Sequence, residues 1–433
     1  MNKIFIHIDF NSFFATVEQQ ANPRLRGKPI GVTGGDRLER TVIGAASVEA
    51  KKFGVRTGMT YFEARKLCPE IILVKGDSDK YLECSKRFIN ILKDFSPNVE
   101  VFSIDEVFLE VSKTVGSVSS VESVATEHTD LTEIIQTAIL IKDRIRTEIG
   151  SWISVSVGIS YNKVMAKLAG SLYKPDGLVV IADPEAAMFI LDRRELDDIC
   201  GIGYRIKKRL NNMGVFSFAD LREIPLENLL ASFKSYGKTL YDFSRGLGST
   251  EVIPFYEKEE VKSVGHRHTL SFDTDDPLVL KQHLLKLSEL VATRLRAKKL
   301  VGKTISFWYR SSFNREYYEA TGSRFAGFGM QTTIALTDDG LKIFEAGWKI
   351  FNSIWGEERV RMVGISISNL KPKMPQNLTI LEDDTRQEVI TKTLDNINNK
   401  YGDFTLKRAV LLGSKNIKRM PNSFLSDRRF KLE

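Results

Sequence analysis

Three acidic residues of this chain stand where apolar strands should not tolerate them: Asp9, Asp105 and Glu106. Asp9 closes the run Lys3-Ile-Phe-Ile-His-Ile-Asp9, and the pair interrupts Val101-Phe-Ser-Ile-Asp-Glu-Val-Phe-Leu-Glu-Val111. Ionised carboxylates in such runs are costly unless a cation or a paired base offsets them. No His or Cys converges with them in the sequence pattern, so the set favours hard, oxygen-ligated Mg²⁺ over zinc. Two such ions can activate a hydroxyl and stabilise a leaving pyrophosphate oxygen, which is in-line phosphoryl transfer. Taken alone, Asp105-Glu106 reads equally well as a hairpin tip, and Asp9 as the cap of the next helix. Period two sends Asp105 to one face of a strand and Glu106 to the other. A flat strand cannot aim both at one point, so a bend or turn at the pair is expected.

The elements that must position these residues follow from periodicity. Residues 3–9 form a buried strand. Phe10, Phe13, Phe14 and Val17 recur at helical spacing, with Asn11 or Ser12 as N-cap and Asn22-Pro23 as the stop. Short strands at 28–32 and 41–45 flank Gly34-Gly35-Asp36, and helices follow from Val48 to Phe53 and from Tyr61 to Cys68. Tyr81 to Phe95 is an amphipathic helix, Ser112 to Thr129 a loop, Glu133 to Ile149 a helix, and Trp152 to Ile159 an alternating strand. One strand, an inserted block, a helix, two strands and another helix predict an α+β sheet of the ferredoxin-like kind, with 10–79 as an inserted lobe.

Further on, Gly201-Ile-Gly203 opens into the basic run Tyr204 to Leu210. Such a turn offers backbone N–H groups to a phosphate, or merely connects two helices. It lacks the third glycine and the preceding parallel strand of a dinucleotide fingerprint. Beyond the charged stretch 254–262 lies a second α/β domain, with strands at 264–272, 304–309, 330–336 and 363–370 and helices at 277–295 and 341–355. From Arg294 to Arg315 there are seven Lys/Arg and no Asp/Glu, interleaved with Trp308, Tyr309 and Phe313, which suits a nucleic-acid backbone. His266 and His268 flank Arg267 at alternating positions; a DNA-facing strand is expected there rather than a metal site. The tail carries a helix at 387–401 and a basic segment from Lys415 to Lys431.

At 433 residues, with 42% hydrophobic and 27% charged residues, the chain describes two to four globular domains. A net charge of +8 and pI near 9.1 suit a polyanionic partner. Cys68, Cys84 and Cys200 form no CxxC pair, so neither a disulfide framework nor a zinc site is signalled. No apolar run approaches the roughly 20 residues of a membrane span, and the first residues carry no signal pattern. A cytoplasmic, nucleoid-associated monomer is expected.

Three motifs in order make the chain resemble the Y-family translesion DNA polymerases of the polymerase IV and UmuC kind: Asp9-Phe-Asn-Ser-Phe-Phe-Ala15, Ser103-Ile-Asp-Glu106, and Gly158-Ile-Ser-Tyr-Asn-Lys-Val-Met-Ala-Lys-Leu-Ala169 followed by Lys174-Pro-Asp-Gly177. The resemblance runs from about residue 3 to 370. It implies a right hand: palm at 1–11 and 80–172, fingers at 12–79, a helix-hairpin-helix thumb at 173–245, a linker at 246–262 and an α/β little finger at 263–370. The tail, 371–433, is similar to that of clamp-binding members, with a degenerate peptide at Gln376, Leu378 and Leu381.

The same resemblance implies two Mg²⁺ ions held by Asp9, Asp105, Glu106 and the Phe10 backbone carbonyl. Phe13 and Phe14 are placed at the nucleotide, Phe14 matching the steric gate against a ribose 2′-hydroxyl, although both also fit an ordinary apolar helix face. Lys163 and Lys51 match contacts to the incoming dNTP. Lys51 stands where many members have arginine, while Ala45 and Val48 replace hydrogen-bonding residues, which leaves the grip on nucleotide looser. Primer-template DNA would be met by Gly201, Gly203, Arg205, Lys207, Arg267, Arg294, Arg296, Lys298, Lys299 and Arg310. Two rivals are weighed. One is a non-catalytic DNA-binding scaffold, favoured by the altered 45, 48 and 51 positions and opposed by the intact acidic trio. The other is a nucleotide cyclase, set aside because Gly34-Gly35-Asp36 lies in the inserted lobe and lacks a following Glu-Phe.

Overall fold

Apolar side chains at almost every position of Ile4–Phe10 make β1 a strand that only a central place in a sheet can satisfy, and it is central. In the computed structural model, which describes residues 3–34, 42–111, 127–257, 260–312, 326–373 and 384–412, the chain divides into two compact units at residue 258.

In the first unit, β1 leads into α1 (Phe13–Ala21), then β2 (Ile30–Thr33), β3 (Ile43–Ala46), α2 (Val48–Lys52), α3 (Tyr61–Leu67) and β4 (Ile72–Lys75). These last three strands form their own small sheet, in the order β3-β2-β4. This is the inserted lobe; β4 was not foreseen. Next come α4 (Ser78–Lys93), β5 (Val99–Val101), β6 (Glu106–Val111), α5 (Glu127–Glu148), β7 (Val155–Ser160), α6 (Lys163–Leu172) and β8 (Leu178–Ile181). The main sheet runs β5-β6-β1-β7-β8. Its first four strands, with α4 and α5, have the ferredoxin-like order expected; the short apolar β8 adds an unforeseen parallel edge beside β7.

The stretch Val101–Val111 is not one strand. Residues 102–105 turn, and the N–H groups of Phe102 and Ser103 both donate to the Glu106 carbonyl at 3.0 Å. Both carboxylates therefore sit at a hairpin, as the bend required. Helix α6 lies directly on the sheet because Gly158 of β7 faces Gly170, where a Cβ would come within 2.2 Å of the Gly170 nitrogen.

Five helices follow: α7 (Pro184–Leu191), α8 (Tyr204–Asn211), α9 (Phe218–Glu223), α10 (Leu226–Phe233) and α11 (Tyr236–Ser244). They bury Leu191, Ile202, Leu210, Phe218 and Leu240 against Met165 and Leu168 of α6. The stretch expected to be a linker, 246–262, is largely fixed. Val252 is buried with Phe5 and Ala166, and the Phe255 N–H donates to the Val99 carbonyl at 2.8 Å.

The second unit contains β9 (Ser263–Thr274), α12 (Pro277–Ala297), β10 (Leu300–Ser311), β11 (Gly327–Thr337), α13 (Gly340–Ile354), β12 (Val360–Ser368), β13 (Lys371–Pro372) and α14 (Asp384–Tyr401). Its sheet runs β11-β10-β12-β9, and α12 and α13 cover one face with Leu284, Val291, Ile343 and Phe351. The described part of the tail beyond residue 384 joins this unit: Leu411 enters the same core, and Asp395 of α14 binds Arg296 of α12. Among the described residues no helix is long and apolar enough to cross a membrane.

Candidate active site

The end of β1 and the β5–β6 turn meet in one register. Asp9 pairs with Glu106 across the strands, and the Phe10 N–H donates to the Asp105 carbonyl at 3.0 Å. The turn is held from behind by Ser85 of α4, whose hydroxyl donates to the Ile104 carbonyl at 2.6 Å. Ser103 donates to Asp105 Oδ1 at 2.5 Å. Burial pushes the Asp105 carboxyl up from its ordinary range against that bond, and the charges of Asp9 and Glu106 add to it. The neighbouring carboxylates thus repel one another.

After Asn11 the backbone turns sharply. Ser12 is left-handed (φ 55°, ψ 47°), and its side chain caps nothing. An N-cap bond was expected at Asn11 or Ser12. Instead the Asn11 side chain is tied to the start of β7, its Nδ2 donating to Ser154 Oγ (3.1 Å) and its Oδ1 accepting from Ser156 Oγ (2.9 Å). The buried Ser12 hydroxyl has no partner.

A cavity of about 540 Å³ opens at this turn, lined by Asp9, Phe10, Ser12, Phe13, Phe14, Asp105 and, from the inserted lobe, Ala45, Val48 and Lys51. Lys174, just past α6, also lines it and pairs with Asp9. Burial lowers the Lys51 ammonium, as does the nearby charge of Lys174, while Asp9 raises it. Phe14 stacks on Tyr81 (4.5 Å between centroids, 22°), and the Tyr81 hydroxyl donates to the buried Glu18 at 2.7 Å. Phe13 is 3% exposed and packs on Phe10, so it is chiefly a core residue.

Two expected site residues stand differently. Glu106 is turned toward His7 and Lys167, which both reach its Oε1, and it does not line the cavity. Accordingly, among the described residues no three His, Cys, Asp or Glu side chains are gathered closely enough to hold one ion. Lys163 is also away from the cavity, with its ammonium 2.7–2.8 Å from both oxygens of Glu100. Beside Lys51 and Lys52, the cavity is lined by Lys174. The sequence signal for Lys174 is the Lys174-Pro-Asp-Gly177 motif, whereas nothing in the spacing of His7 in the first strand or Lys167 in the preceding motif marks a role for either.

The impB/mucB/samB family matches residues 8–171, and its C-terminal domain matches residues 261–380. The chain belongs to this family of Y-family DNA polymerases. A thumb domain described as that of DNA polymerase-iota matches residues 197–248. The chain is 36% identical over 408 residues to DNA polymerase IV of Moorella thermoacetica, covering 93% of this chain and 95% of the relative. It is 31% identical over 423 residues to DNA polymerase IV of Clostridium acetobutylicum, covering 95% and 99%. Among solved structures it is similar to a Y-family DNA polymerase chimera, with a TM-score of 0.68 and 26% identity over 84% of this chain and 98% of that one. The fold is the right-hand polymerase fold of that family.

In Y-family terms, α8 belongs to the thumb hairpin. Gly201 has φ 119° and Gly203 is the N-cap of α8. Arg205 and Lys208 are exposed on α8, but Lys207 is drawn back to Asp197 (2.6 Å) and Glu195 (2.9 Å). On the open face of the little-finger sheet, Arg267 and Arg310 flank the Trp308 ring at 5.3 and 5.4 Å. The indole lies over Gly329, where a Cβ would approach it to 2.9 Å. Arg296 is not on offer to DNA: Asp395 binds its guanidinium twice (2.5 and 2.8 Å) and the Asp338 carbonyl accepts a third bond. Arg294 is spent on the carbonyls of Leu290 and Gly265. Lys298 and Lys299 are exposed. His266 is 3% exposed on the helix-covered side, and His268 shares that side, stacking on His283 of α12, so the expected DNA-facing role falls. Gln376, Leu378 and Leu381 lie outside the described residues, as do Gly35-Asp36 and the basic segment 415–431.

Proposed function

We propose that this polymerase is a template-directed, low-fidelity enzyme of translesion synthesis, joining a dNTP to the 3′-hydroxyl of a primer on damaged DNA. The observation that carries the reading is the cavity in which the Asp9 and Asp105 carboxylates face Lys51 and Lys174. Carboxylates alone favour a divalent metal; lysines alone favour a phosphate. Their union suits a metal-bound triphosphate.

The donor set is all oxygen, which suits Mg²⁺, and Glu106 would have to turn from His7 and Lys167 to join Asp9 and Asp105. Asp9 and Asp105 present oxygen at the cavity, the Phe10 backbone lines it, and Glu106 is one strand away in register with Asp9. In the structure Lys174 and Lys167 supply the positive charge beside Asp9 and Glu106. When bound, the ions would acidify the primer hydroxyl and stabilise the departing pyrophosphate. The chain's own work is then electrostatic and steric. Lys51 and Lys174 neutralise triphosphate oxygens. Ala45 and Val48 cannot hydrogen-bond them, so the grip rests on the cavity's lysines, with Lys52 beside Lys51. Phe14, braced by Tyr81, bars the ribose 2′-hydroxyl. The permissiveness toward lesions is supported by the resemblance and by the small inserted lobe. Association with a sliding clamp through residues 376–381, a monomeric state and a cytoplasmic setting complete the reading.

Primer extension with Mg²⁺ on intact and abasic templates tests it, with Asp105→Asn and Glu106→Gln alongside. The wild-type chain should extend both templates, and each variant should lose on the order of 10³-fold in rate. A wild-type chain that extends neither template, or variants that match it, would overturn the reading.

A further inference from the structure

Lys163 opens α6, yet its ammonium points away from the cavity, and what it holds there is the chain on its way out of the thumb. It lies 2.7–2.8 Å from both oxygens of Glu100 and 3.0 Å from the Glu251 carbonyl. Glu100 belongs to β5, the edge strand of the palm sheet, and its Oε2 also accepts the Ile253 N–H at 2.8 Å. We propose that Lys163 and Glu100 form a clasp that straps residues 246–255 to the palm and so sets the length of the tether to the little finger, Lys163 being a positioning residue and not a nucleotide ligand.

The strap is fastened along its whole length. The Gly246 carbonyl accepts from the Tyr161 hydroxyl and the Asn162 amide, both at 2.8 Å. The Ser249 carbonyl accepts the Lys163 N–H at 3.1 Å. Val252 is buried with Phe5 and Ala166, and the Phe255 N–H donates to the Val99 carbonyl at 2.8 Å, occupying the otherwise open edge of β5. Most of the strap's fasteners are backbone bonds, and the Lys163–Glu100 pair binds two of its residues, 251 and 253, at once. Both side chains are nearly buried, at 14% and 12% exposure, so losing either leaves the other's charge unpaired.

The consequence is a matter of reach. Phe255 is bonded to the palm, and Val261 already packs on the little-finger core. Residues 256–260 are all that remain between them, which at ~3.5 Å per residue span roughly 18 Å. Releasing the strap back to Ser249 would leave residues 250–260, a span of roughly 40 Å. A longer flexible tether dilutes the second DNA-contacting unit around the first.

The test uses the full chain with Lys163→Ala, Glu100→Ala and Lys163→Arg, read by amide hydrogen exchange and by primer extension. Both alanine variants should speed exchange at Ile253 and Phe255 by about tenfold or more. They should also add fewer nucleotides per binding event while the dNTP KM stays within about twofold, and Lys163→Arg should restore both. Unchanged exchange at Ile253 and Phe255 overturns the clasp, and a KM rise of about tenfold alongside it returns Lys163 to the nucleotide. The extension readout rests on the polymerase reading, whereas the exchange readout does not. A chain that extends no primer would therefore sink that reading and leave the clasp to be decided by exchange.

Discussion

His7 Nε2 lies 2.5 Å from Glu106 Oε1, and Lys167 reaches the same oxygen, so one buried carboxylate oxygen carries both bonds. Burial alone would push this carboxyl up. The His7 bond and charge, with Lys167, outweigh it and bring Glu106 down to about 2. Its contribution to stability is therefore present above the ordinary value near 4.5 and is lost as pH falls from there toward about 2. The gap corresponds to about 3 kcal/mol. Urea denaturation from pH 6 to pH 2 should show this acid-dependent loss in the wild-type chain and not in Glu106→Gln. Parallel pH profiles would show that the pair does not hold the fold.

Phe14→Ala should lower discrimination against ribonucleotides by roughly 100-fold, with little change in the dNTP rate. Competition between matched dNTP and rNTP measures it. Unchanged sugar selectivity would make the Phe14–Tyr81 stack a packing contact only.

Arg296→Ala removes both bonds to Asp395 and the one to the Asp338 carbonyl. A pair this nearly buried should cost the second unit about 1–3 kcal/mol, and amide exchange in α14 should rise. DNA affinity should change by less than about twofold, with the same salt slope. A shallower salt slope would restore Arg296 to the DNA-binding set.

The histidines predict acid sensitivity in the second unit. Burial lowers His266 to about 4, with Arg294 and His268 contributing; burial likewise lowers His283 to about 4, with His268 and Lys286 contributing. Neutral rings are favoured in the fold, so their stabilisation is full above the ordinary 6.5 and is lost as pH falls toward about 4. His266 alone accounts for about 3 kcal/mol. Hydrogen exchange at pH 7 and pH 5 should show β9 and α12 opening at the lower pH, and less so in His266→Leu.

Much of this was legible because periodicity reports burial directly. The strand at 3–9, the helix that became α4 and the order of the palm elements all follow from side-chain alternation. So did the need for a turn at Asp105-Glu106, since two adjacent residues cannot share a strand face. Four-residue strands such as Ile72–Lys75 and Leu178–Ile181 are too short to show a period. The long cations were the least readable. Lys163, Lys174, Arg296 and Lys207 each carry several rotatable bonds, and their partners lie between 10 and 165 residues away in sequence. Only the assembled fold says which anion each one meets. The histidines misled for a related reason: alternation put them on one face, but nothing in the strand itself says which face the helices cover.

Helix α6 touches the sheet through bare backbone at Gly158 and Gly170, a contact with no side chain to cushion it. Along that one rod, Lys163 grips the strap, Lys167 grips Glu106, and two residues past its end Lys174 grips Asp9. The helix behaves as a beam seated on a fixed bearing: tilting it would disturb the strap and both carboxylates together. A mutational survey of this protein should find substitutions at the bearing as damaging to catalysis as changes at the carboxylates, though neither glycine bears a functional group.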